Sequence, residues 1–541
     1  MRKLSGIGLF VLISLPLFAQ SSAAPPVFDI ADVHSSARST NPFFQGGVLR
    51  GERYVAKNAT MVDLIATAYG VDNEKVVSGP SWLDTDRFDI IAKAPSTSSP
   101  ETVKQMLQTL LADRFNLVVH NDTKPMSSFA LGVGKGKPKL KESDGSGNSG
   151  CQPQPQQNAP PGSILVTCHN VTMETFAQII HQIAGGYLTS PVVDSTGLKG
   201  SWDFDIKWTA RGQLAQAGPD GISLFDAVDK QLGLKLEFQK SALPVLMVDS
   251  VNEKPTDNPP GVTATLPTPP PAEFEVAVIK PSAPNEPPGG RIIPSGQVDV
   301  QSITLKTLIT IAWNLNPNDN DALVGAPKWL DSDKFDITAK APATSATTNN
   351  GIPFDIDDLR VMLQKLLVER FKMVVHMEDR PVNAYTLVAA NPKMKKADPL
   401  NRTGCKNGPG PDGKDPRIAN PILARLVSCQ NITMAQFADQ LPNLAGGYIF
   451  NPVLDGTGLE GAWDFTLNFS TANVFQGGAG AGGRGGNAAP STGDASTASD
   501  PSGALSIFDA VSKQLGLKLE KQKRPLPVLV IDHVEEKPTD N

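Results

Sequence analysis

The sequence predicts an α+β (or α/β) protein of two homologous domains, each built from small interleaved strand and helix modules with mostly antiparallel or mixed sheets. Three observations lead to this fold class. The chain repeats its own phrases about 250 residues apart, short alternating segments interleave with amphipathic ones, and Gly and Pro separate them. A repeat of this length is too long for a solenoid unit, so it indicates whole domains in tandem.

Two phrases carry the duplication. Trp82-Leu-Asp-Thr-Asp-Arg-Phe-Asp returns as Trp329-Leu-Asp-Ser-Asp-Lys-Phe-Asp, and residues 225–237 return almost unchanged as 508–520. Both copies also stop at the phrase Glu-Lys-Pro-Thr-Asp-Asn. Chemistry that each copy needs should appear in both, so residues present in only one copy are weaker candidates for a functional site.

The order of segments predicts the domain boundaries. Residues 1–24 resemble a signal peptide, with a basic start, a short apolar run and small residues at a cleavage position. The run is shorter than the ~20 residues that cross a bilayer, so we expect cleavage and no transmembrane segment in the mature chain. The first repeat then covers 25–258, a stiff Pro-rich linker 259–271 and the second repeat 272–541, in which a Gly/Ala/Ser-rich insert over 477–503 should be disordered.

Within the first repeat, helix signals alternate with strand signals. Thr60 and Asp63 form a capping box, and Gly70 ends that helix. Ser99 and Pro100 start a helix with an apolar stripe that the second repeat reproduces. Two further helices are predicted over 172–184 and from Ser223 to Gly233, and strands over 28–34, 87–93, 115–120, 128–133, 202–208, 234–238 and 245–251.

The four cysteines form one pair in each repeat, Cys151 with Cys168 and Cys405 with Cys429. In an oxidising compartment we expect two structural disulfides, each contributing roughly 3 kcal/mol in the chain-entropy model. A metal site is the alternative, but the spacings lack the Cys-x-x-Cys clusters that zinc prefers.

The bulk composition excludes few functions. The 541 residues are 40% hydrophobic and 19% charged, which is ordinary for a folded protein. The formal net charge of −6 gives no electrostatic footprint for nucleic acid, so we expect no nucleic-acid partner.

Several phrases occur in the order of a known family. They are Gly-x-Pro-x-Trp-Leu-Asp-x-Asp, Leu-Leu-x-x-Arg-Phe-x-x-x-x-His, Pro-Val-x-Asp-x-Thr-Gly-Leu and Gln-Leu-Gly-Leu-Lys-Leu-Glu. Together they resemble the soil-associated exported-protein family, a bacterial domain of unknown function, over nearly all of residues 27–541. The resemblance implies kinship and export, and some relatives look fused to sensor segments of the envelope. It implies no activity, and the duplication departs from the usual single copy.

An aspartic protease is the sharpest enzymatic hypothesis, because a duplicated chain can supply one carboxylate per lobe. Asp194 and Asp455 lie in Asp-Ser-Thr-Gly and Asp-Gly-Thr-Gly, where two carboxylates sharing a proton would activate water. Both phrases insert one residue into the Asp-Thr/Ser-Gly motif that they resemble. The alternative is a turn in which the aspartate caps the backbone and Gly adopts a positive φ.

Six aspartates could provide hard oxygen ligands for calcium, but no Gly and bidentate Glu of an EF-hand accompany them. Part of each set also lies on a predicted strand, which would direct the side chains to different faces. Turn capping and solvated carboxylates are therefore the favoured alternative. The candidates are Asp84, Asp86 and Asp89, with Asp331, Asp333 and Asp336.

His120 and His376 occupy equivalent positions at strand ends, where each could act as a general base. No nucleophile motif accompanies either histidine, so a structural role is the alternative. Trp82, Trp202 and their counterparts could stack on sugars, but the alternating neighbours favour core packing.

The residues thus favour an exported, periplasmic or extracellular protein that acts as a non-catalytic binding or sensory module of the envelope. We expect no cofactor, and we expect an envelope protein or a polysaccharide as the partner. The alternative is a secreted carboxylate-dependent hydrolase, a protease or a glycosidase.

Overall fold

A computed structural model describes residues 24–37, 43–155, 162–214, 217–268, 273–293, 296–316, 319, 321–342, 356–399, 401–410, 413–476 and 503–539. The two repeats have the same order of elements, which confirms the predicted α+β class and the tandem of homologous domains. The expected signal peptide lies outside the described residues except for Ala24, and so does the expected disordered insert except for Gly503.

The first repeat contains twelve strands and four helices among the described residues. They are β1 (Ile30–Ser35), β2 (Gln45–Arg50), β3 (Arg53–Thr60), α1 (Met61–Tyr69), β4 (Val76–Val77), β5 (Arg87–Lys93), α2 (Pro100–Phe115), β6 (Val118–Val133), β7 (Lys141–Glu142), β8 (Gly150–Gln154), β9 (Ser163–Val171), α3 (Met173–Ile183), β10 (Val192–Asp194), β11 (Trp202–Thr209), α4 (Leu224–Leu232) and β12 (Leu234–Ser250).

The second repeat follows a short helix in the linker, α5 (Val262–Thr265), and its last helix, α10 (Ile507–Ala510), continues as a π-helical turn over Val511–Leu515 before the final strand. Its elements are β13 (Val276–Pro281), β14 (Gly289–Ile292), β15 (Gln297–Thr304), α6 (Leu305–Ala312), β16 (Leu323–Val324), β17 (Lys334–Lys340), α7 (Ile356–Arg370), β18 (Val374–Ala389), β19 (Lys395–Lys396), β20 (Gly404–Asn407), β21 (Arg425–Thr433), α8 (Met434–Leu444), β22 (Val453–Asp455), β23 (Ala462–Phe469), α9 (Asn473–Gln476), α10 (Ile507–Ala510) and β24 (Leu517–His533).

Each repeat forms three four-stranded sheets in the same order. In the first repeat the orders are β1-β5-β3-β2, β10-β6-β12-β4 and β7-β11-β9-β8, and the second repeat has their equivalents. The outer two sheets are antiparallel, while the middle sheet is mixed because β10 and β4 join its edges in parallel. The predicted mixture of antiparallel and mixed sheets is therefore present in each copy.

The middle sheet is built on a long antiparallel ribbon, β6 with β12, and this corrects the strand boundaries. Residues 115–120 and 128–133 were expected as two strands, but they belong mainly to the single strand β6, as 234–238 and 245–251 belong to β12. The polar middle of each strand hides the continuity, because both faces there are largely solvent-exposed and apolar alternation is lost.

The ribbon tolerates proline because its middle has no third strand. The N–H of Phe129 points away from β12 and donates to the carbonyl oxygen of Pro191 on the β10 side. The direction of the backbone N–H alternates along a strand, so the nitrogen of Pro125, four residues earlier, also points outward. Pro244 lies opposite Thr123, which is also an outward position. No ladder hydrogen bond is lost at such sites, and the missing N–H protects the edge from pairing with another chain.

The helix signals read from the sequence operate as expected. Thr60 Oγ1 accepts from the N–H of Asp63 at 3.1 Å, the Asp63 carboxylate accepts from the N–H of Thr60 at 2.9 Å, and Gly70 ends α1 at φ 64°. Ser99 caps α2, and Ser223 and Gly233 bound α4. These local hydrogen bonds satisfy backbone groups that a helix end would otherwise leave unpaired.

Among the described residues, four large hydrophobic cores hold the fold together, two in each repeat, and Val382, Val528 and Val530 form a small additional cluster in the second repeat. One core of the first repeat packs α1 and α2 on the β1–β5 sheet, and the other packs α3 and α4 on the β9–β11 sheet. The second repeat has the equivalent two cores. None of these four clusters combines residues from both repeats, so each repeat is a folding unit with its own interior.

Two disulfides confirm the predicted pairing. Cys151 on β8 bonds to Cys168, its direct partner on β9, and Cys405 on β20 bonds in the same way to Cys429 on β21. Each bridge therefore fastens an edge strand to its sheet. The linker lies against the first repeat, where Val262 is buried and Arg53 donates to the carbonyl oxygen of Pro267.

Candidate functional site

Ion pairs join the two repeats. Arg402 binds Asp84 through two nitrogens and donates to the carbonyl oxygen of Val76 at 3.0 Å. In a second pair, Arg50 Nη1 lies 3.1 Å from Asp358 Oδ2 on α7. The repeats are thus in direct contact and do not depend on the linker alone for their association.

A third pair is more deeply placed, between Arg211 of the first repeat and Asp415 of the second, at 3.2 Å. Their side chains are only 9% and 10% exposed, and Arg211 also lies over the ring of Tyr187. Burial opposes the ionisation of Asp415, but hydrogen bonding from Arg417 and the charges of both arginines outweigh it, so the pKa of Asp415 lies below its ordinary value. The carboxylate is therefore held charged at this contact.

The disulfide-closed loop of the second repeat makes the contact possible. Cys405 and Cys429 are 24 residues apart, against 17 for the pair in the first repeat. Three residues after Cys405, Gly408 lies so close to Thr189 that a Cβ on the glycine would lie 2.3 Å from Thr189 Oγ1. Gly408 has a φ of 115°, which L side chains rarely adopt, so glycine is required here for two independent reasons.

Between the repeats lies a cleft of about 890 Å³. The first repeat contributes residues around β4, the ribbon and the turn before β10, and the second contributes the β20–β21 hairpin and α8. Neutral hydrogen-bonding side chains are the most numerous class in the wall, beside apolar ones such as Phe43, Phe44 and Met126. The neutral hydrogen-bonding side chains include Asn73, Ser127, Ser190, Gln430, Gln440 and Asn443.

Most charged groups of the cleft already have partners in the protein. Asp84 and Arg402 neutralise each other, and Asp63 accepts from Asn73 Nδ2 at 2.7 Å in addition to capping α1. Arg87 donates to the carbonyl oxygen of Asn58 at 2.7 Å. A ligand in this cleft would therefore meet amides, hydroxyls and apolar side chains, together with the exposed charges of Glu74 and Lys406, which are opposite in sign.

In the second repeat, described residues of the chain itself bind the equivalent wall. The segment between α6 and β16 is longer than its counterpart, and three of its residues bind the wall. Asn316 Nδ2 donates to the carbonyl oxygen of Phe450 at 2.7 Å, and Asn451 Nδ2 donates to Asp319 Oδ1 at 3.2 Å. Asp321 Oδ2 accepts from both the N–H and Nδ2 of Asn383, at 3.2 and 2.6 Å.

The first repeat lacks this closure. The ladder partners of the two ribbons align Phe450, Asn451 and Asn383 with Thr189, Ser190 and Ser127, all three of which line the cleft. Burial raises the pKa of Asp319, in keeping with its position inside the closed second repeat. Duplication has thus left one open site and one closed copy of it.

The predicted histidines form the same pair in each repeat. His120 Nδ1 lies 2.8 Å from Asp249 Oδ2, and His376 Nδ1 lies 2.7 Å from Asp532 Oδ2. Both histidines are about half exposed, and neither lines the cleft. The aspartate orients each histidine ring as it would orient a general base. The contacts of the described residues, however, place no Ser or Cys nucleophile against either ring.

Asp194 and Asp455 each stabilise a turn in their own repeat. Asp194 Oδ1 accepts from the N–H and the hydroxyl of Thr196 at 2.8 and 2.7 Å. Asp455 makes the same two bonds to Thr457. The two carboxylates thus have the geometry of the alternative turn, and neither lines the cleft.

The six aspartates considered for calcium are engaged separately. Asp84 binds Arg402, Asp331 binds Lys306, and Asp89 accepts from Ser36 and from the N–H of Asn58. The remaining three have these partners: Asp86 with Thr85, Asp333 with Ser332, and Asp336 with Ser282 and the N–H of Ser302. Across the part of the chain that the structure describes, no three His, Cys, Asp or Glu side chains come together as a metal site.

The tryptophans singled out in the sequence belong to the cores. Trp82 packs edge-on to Phe88, and Trp329, Trp202 and Trp463 lie at the margins of the other three cores. None of the four lines the cleft.

Sequence reasoning missed the cleft because the arginines that hold the two repeats together occur in only one repeat. Arg402 stands two residues before Gly404, where the first repeat has Asn148 before Gly150. Arg211, nine residues after Trp202, is replaced by Ala472 nine residues after Trp463. The loop between the cysteines was the sequence feature that could have indicated a contact between the repeats, because it is longer in the second repeat than in the first.

Comparison with known proteins agrees with the duplication. A family described as a protein of unknown function, DUF3738, matches residues 62–251 and again residues 306–534, more than half of the chain. No curated protein matches the chain, and no solved structure matches it. Within the described residues, no helix has the length and apolar character needed to cross a membrane.

Proposed function

Because the chain belongs to the DUF3738 family twice over, and that family has no known function, we propose a function from the cleft: the protein is an exported, non-catalytic binding module that holds a ligand between its repeats. The observation that carries the proposal is the neutral, hydrogen-bonding wall to which both repeats contribute. Concave sites with a few convergent polar groups are the usual form of a ligand site.

The cysteines support export. Both disulfides join edge strands to their sheets, and such bonds persist in the periplasm or outside the cell but are rare in the cytosol. The signal-like residues 1–24 support the same location. A sensory role in the envelope would use the same cleft, with ligand binding changing the contact between repeats.

The hydrolase alternative has less support. It depends on Asp194 and Asp455, whose carboxylates are each occupied by a threonine turn. The exposed His120–Asp249 pair has its equivalent in the second repeat, but no nucleophile accompanies it among the contacts of the described residues. We therefore assign no catalytic role to these side chains.

Binding can be tested without knowing the ligand. The full chain would be produced in an oxidising compartment and incubated with separate protein, polysaccharide and lipid fractions of bacterial envelopes. The cleft variant combines Gln440→Ala with Asn443→Ala on α8, and Gln182→Ala on α3 is its control, since Gln182 holds the position of Asn443 in the first repeat and lies outside the cleft.

We expect the wild type and the control to retain material from one fraction and the cleft variant to lose it. Equal retention by all three proteins, or retention by none, would overturn the proposal. Thermal unfolding of each variant verifies that the fold is intact.

A further inference from the structure

We infer that the ligand of the cleft is a neutral carbohydrate chain. This inference rests on the proposed function, since it names the ligand class of the same site. It is drawn from the second repeat, where Asn316, Asp319 and Asp321, between α6 and β16, bind the equivalent wall and show which groups it can bind.

The closing segment offers the wall both acceptors and a donor. Asp321 accepts from Asn383, and Asp319 accepts from Asn451, while Asn316 donates to the carbonyl oxygen of Phe450. The wall of this fold therefore presents donors at the ribbon edge and a backbone acceptor beside them. A group that fills the space must satisfy both.

In the first repeat, the equivalent wall keeps the same polarity with shorter side chains. Ser127 presents an outward N–H and a hydroxyl, Thr189 a backbone carbonyl, and Ser190 a second hydroxyl. A sugar hydroxyl donates and accepts at once, so a row of hydroxyls matches alternating donors and acceptors. The serines at these positions are shorter than Asn383 and Asn451, and both line the cleft.

The opposite wall also favours a neutral, hydroxyl-rich ligand. Gln430, Gln440 and Asn443 are amides that can donate and accept in the plane of the group. Phe43 at the cleft is 67% exposed, and its ring offers an apolar face for the C–H face of a sugar. The charged side chains of the cleft cancel in sum, three acidic and three basic, so the cleft carries no net charge that would select an ionic ligand: Asp63, Glu74 and Asp84 against Arg87, Arg402 and Lys406.

A peptide fits less well. An extended peptide would add to the outer edge of the ribbon at Ser127, but the next outward position is Pro125, which has no N–H to donate. Pro381 stands at the equivalent place in the second repeat. The edge therefore permits hydrogen bonding at Ser127 without permitting a continuous strand ladder.

The test uses soluble neutral polysaccharides, namely glucan, mannan, galactan and xylan, with their short oligosaccharides, an anionic polygalacturonate and an unfolded neutral polypeptide. Affinity of the full chain for each is measured by titration calorimetry. We expect at least one neutral glycan to bind and the Gln440→Ala, Asn443→Ala variant to bind it about tenfold or more weakly, since two hydrogen bonds are lost. Gln182→Ala should bind as the wild type does.

A second variant closes the site by the protein's own means. Residues 316–322 replace residues 72–75, with Ser127→Asn and Ser190→Asn supplying the partners found in the second repeat. We expect this variant to fold and to lose glycan binding. If it does not fold, the alanine variant decides.

The outcomes separate the two proposals. Tight binding of polysaccharide with weak binding of the oligosaccharide indicates a polymeric ligand, and equal binding indicates a free oligosaccharide; both support the inference. If no neutral glycan binds, or if polygalacturonate or the polypeptide binds more tightly, the inference is wrong. The binding function itself is then supported only if the alanine variant no longer binds the ligand that the wild type binds.

Discussion

Arg402 of the second repeat binds the carboxylate of Asp84 in the first repeat with both Nε and Nη2, and its Nη1 donates to the carbonyl oxygen of Val76. One side chain thus holds a helical turn and strand β4 of the other repeat at the border of the cleft. Asn148 occupies its position in the first repeat and carries no charge. A second copy of the chain therefore cannot extend this contact head to tail with the same ion pair. Its first repeat would bring Asn148, and not an arginine, to Asp331 of the second repeat.

Removing this pair should loosen the contact between the repeats. Arg402→Gln leaves Asp84 without its cation, and we expect a loss of about 1–2 kcal/mol because the pair is bidentate yet partly exposed. Denaturant unfolding measures the loss. The control is Asp331→Asn at the equivalent position. The ion pair between Asp331 and Lys306 is more exposed than the pair between Arg402 and Asp84, so the loss should stay below about 0.5 kcal/mol. An equal effect of the two changes would contradict the role of Arg402.

Acid should weaken the contact at Asp415. Its pKa is lowered in the folded protein, so its stabilising contribution is complete above the unfolded value of about 3.9 and is lost as the pH falls through the lower folded value. We expect the melting temperature to drop below about pH 4, and to drop less in Asp415→Asn. Thermal scans between acid and neutral pH make the comparison. Identical pH profiles for the two proteins would show that Asp415 does not contribute.

The two disulfides should differ in what their loss affects. Replacing Cys151 and Cys168 by Ser should cost roughly 3 kcal/mol and leave ligand retention intact, because neither cysteine lines the cleft. Replacing Cys405 and Cys429 should reduce both stability and retention, since their loop carries Gly408 and Asp415. If ligand retention is unchanged after Cys405 and Cys429 are replaced, the loop between them does not contribute to the binding site.

Adding a methyl group at Gly408 should disturb the contact directly. In Gly408→Ala the new Cβ would lie 2.3 Å from Thr189 Oγ1 on a backbone with φ 115°, so we expect a loss of about 1–3 kcal/mol. Gly136→Ala is the control, because a Cβ there meets nothing within 4 Å. Urea unfolding of both variants gives the difference, and an unchanged midpoint for Gly408→Ala would refute the close approach.

The histidines should be dispensable for binding. His120 is half exposed and its partner Asp249 is 41% exposed, so His120→Ala should change stability by less than about 1 kcal/mol and leave cleft binding unchanged. The same holds for His376→Ala. Protease and glycosidase assays on both variants test the hydrolase alternative, which gains support only if the wild type has an activity that these changes abolish.

The sequence by itself determined the duplication, the helix ends and the cysteine pairs. These features follow from short-range rules: Thr60 caps the helix that it precedes, Gly70 ends it with a positive φ, and paired cysteines recur in both copies. Three strands of the outer sheets, β1, β5 and β11, also followed from alternation, while β2, β3, β8 and β9 were not predicted.

Only the tertiary structure decided the continuous ribbon, the contact between the repeats and the cleft. The ribbon has a polar middle that no alternation reveals, and Arg402 and Asp84 are 318 residues apart. Recurrence in both copies was a sound guide to what each repeat needs for folding. It could not identify residues such as Arg402 and Arg211, because an asymmetric contact requires different side chains on its two sides.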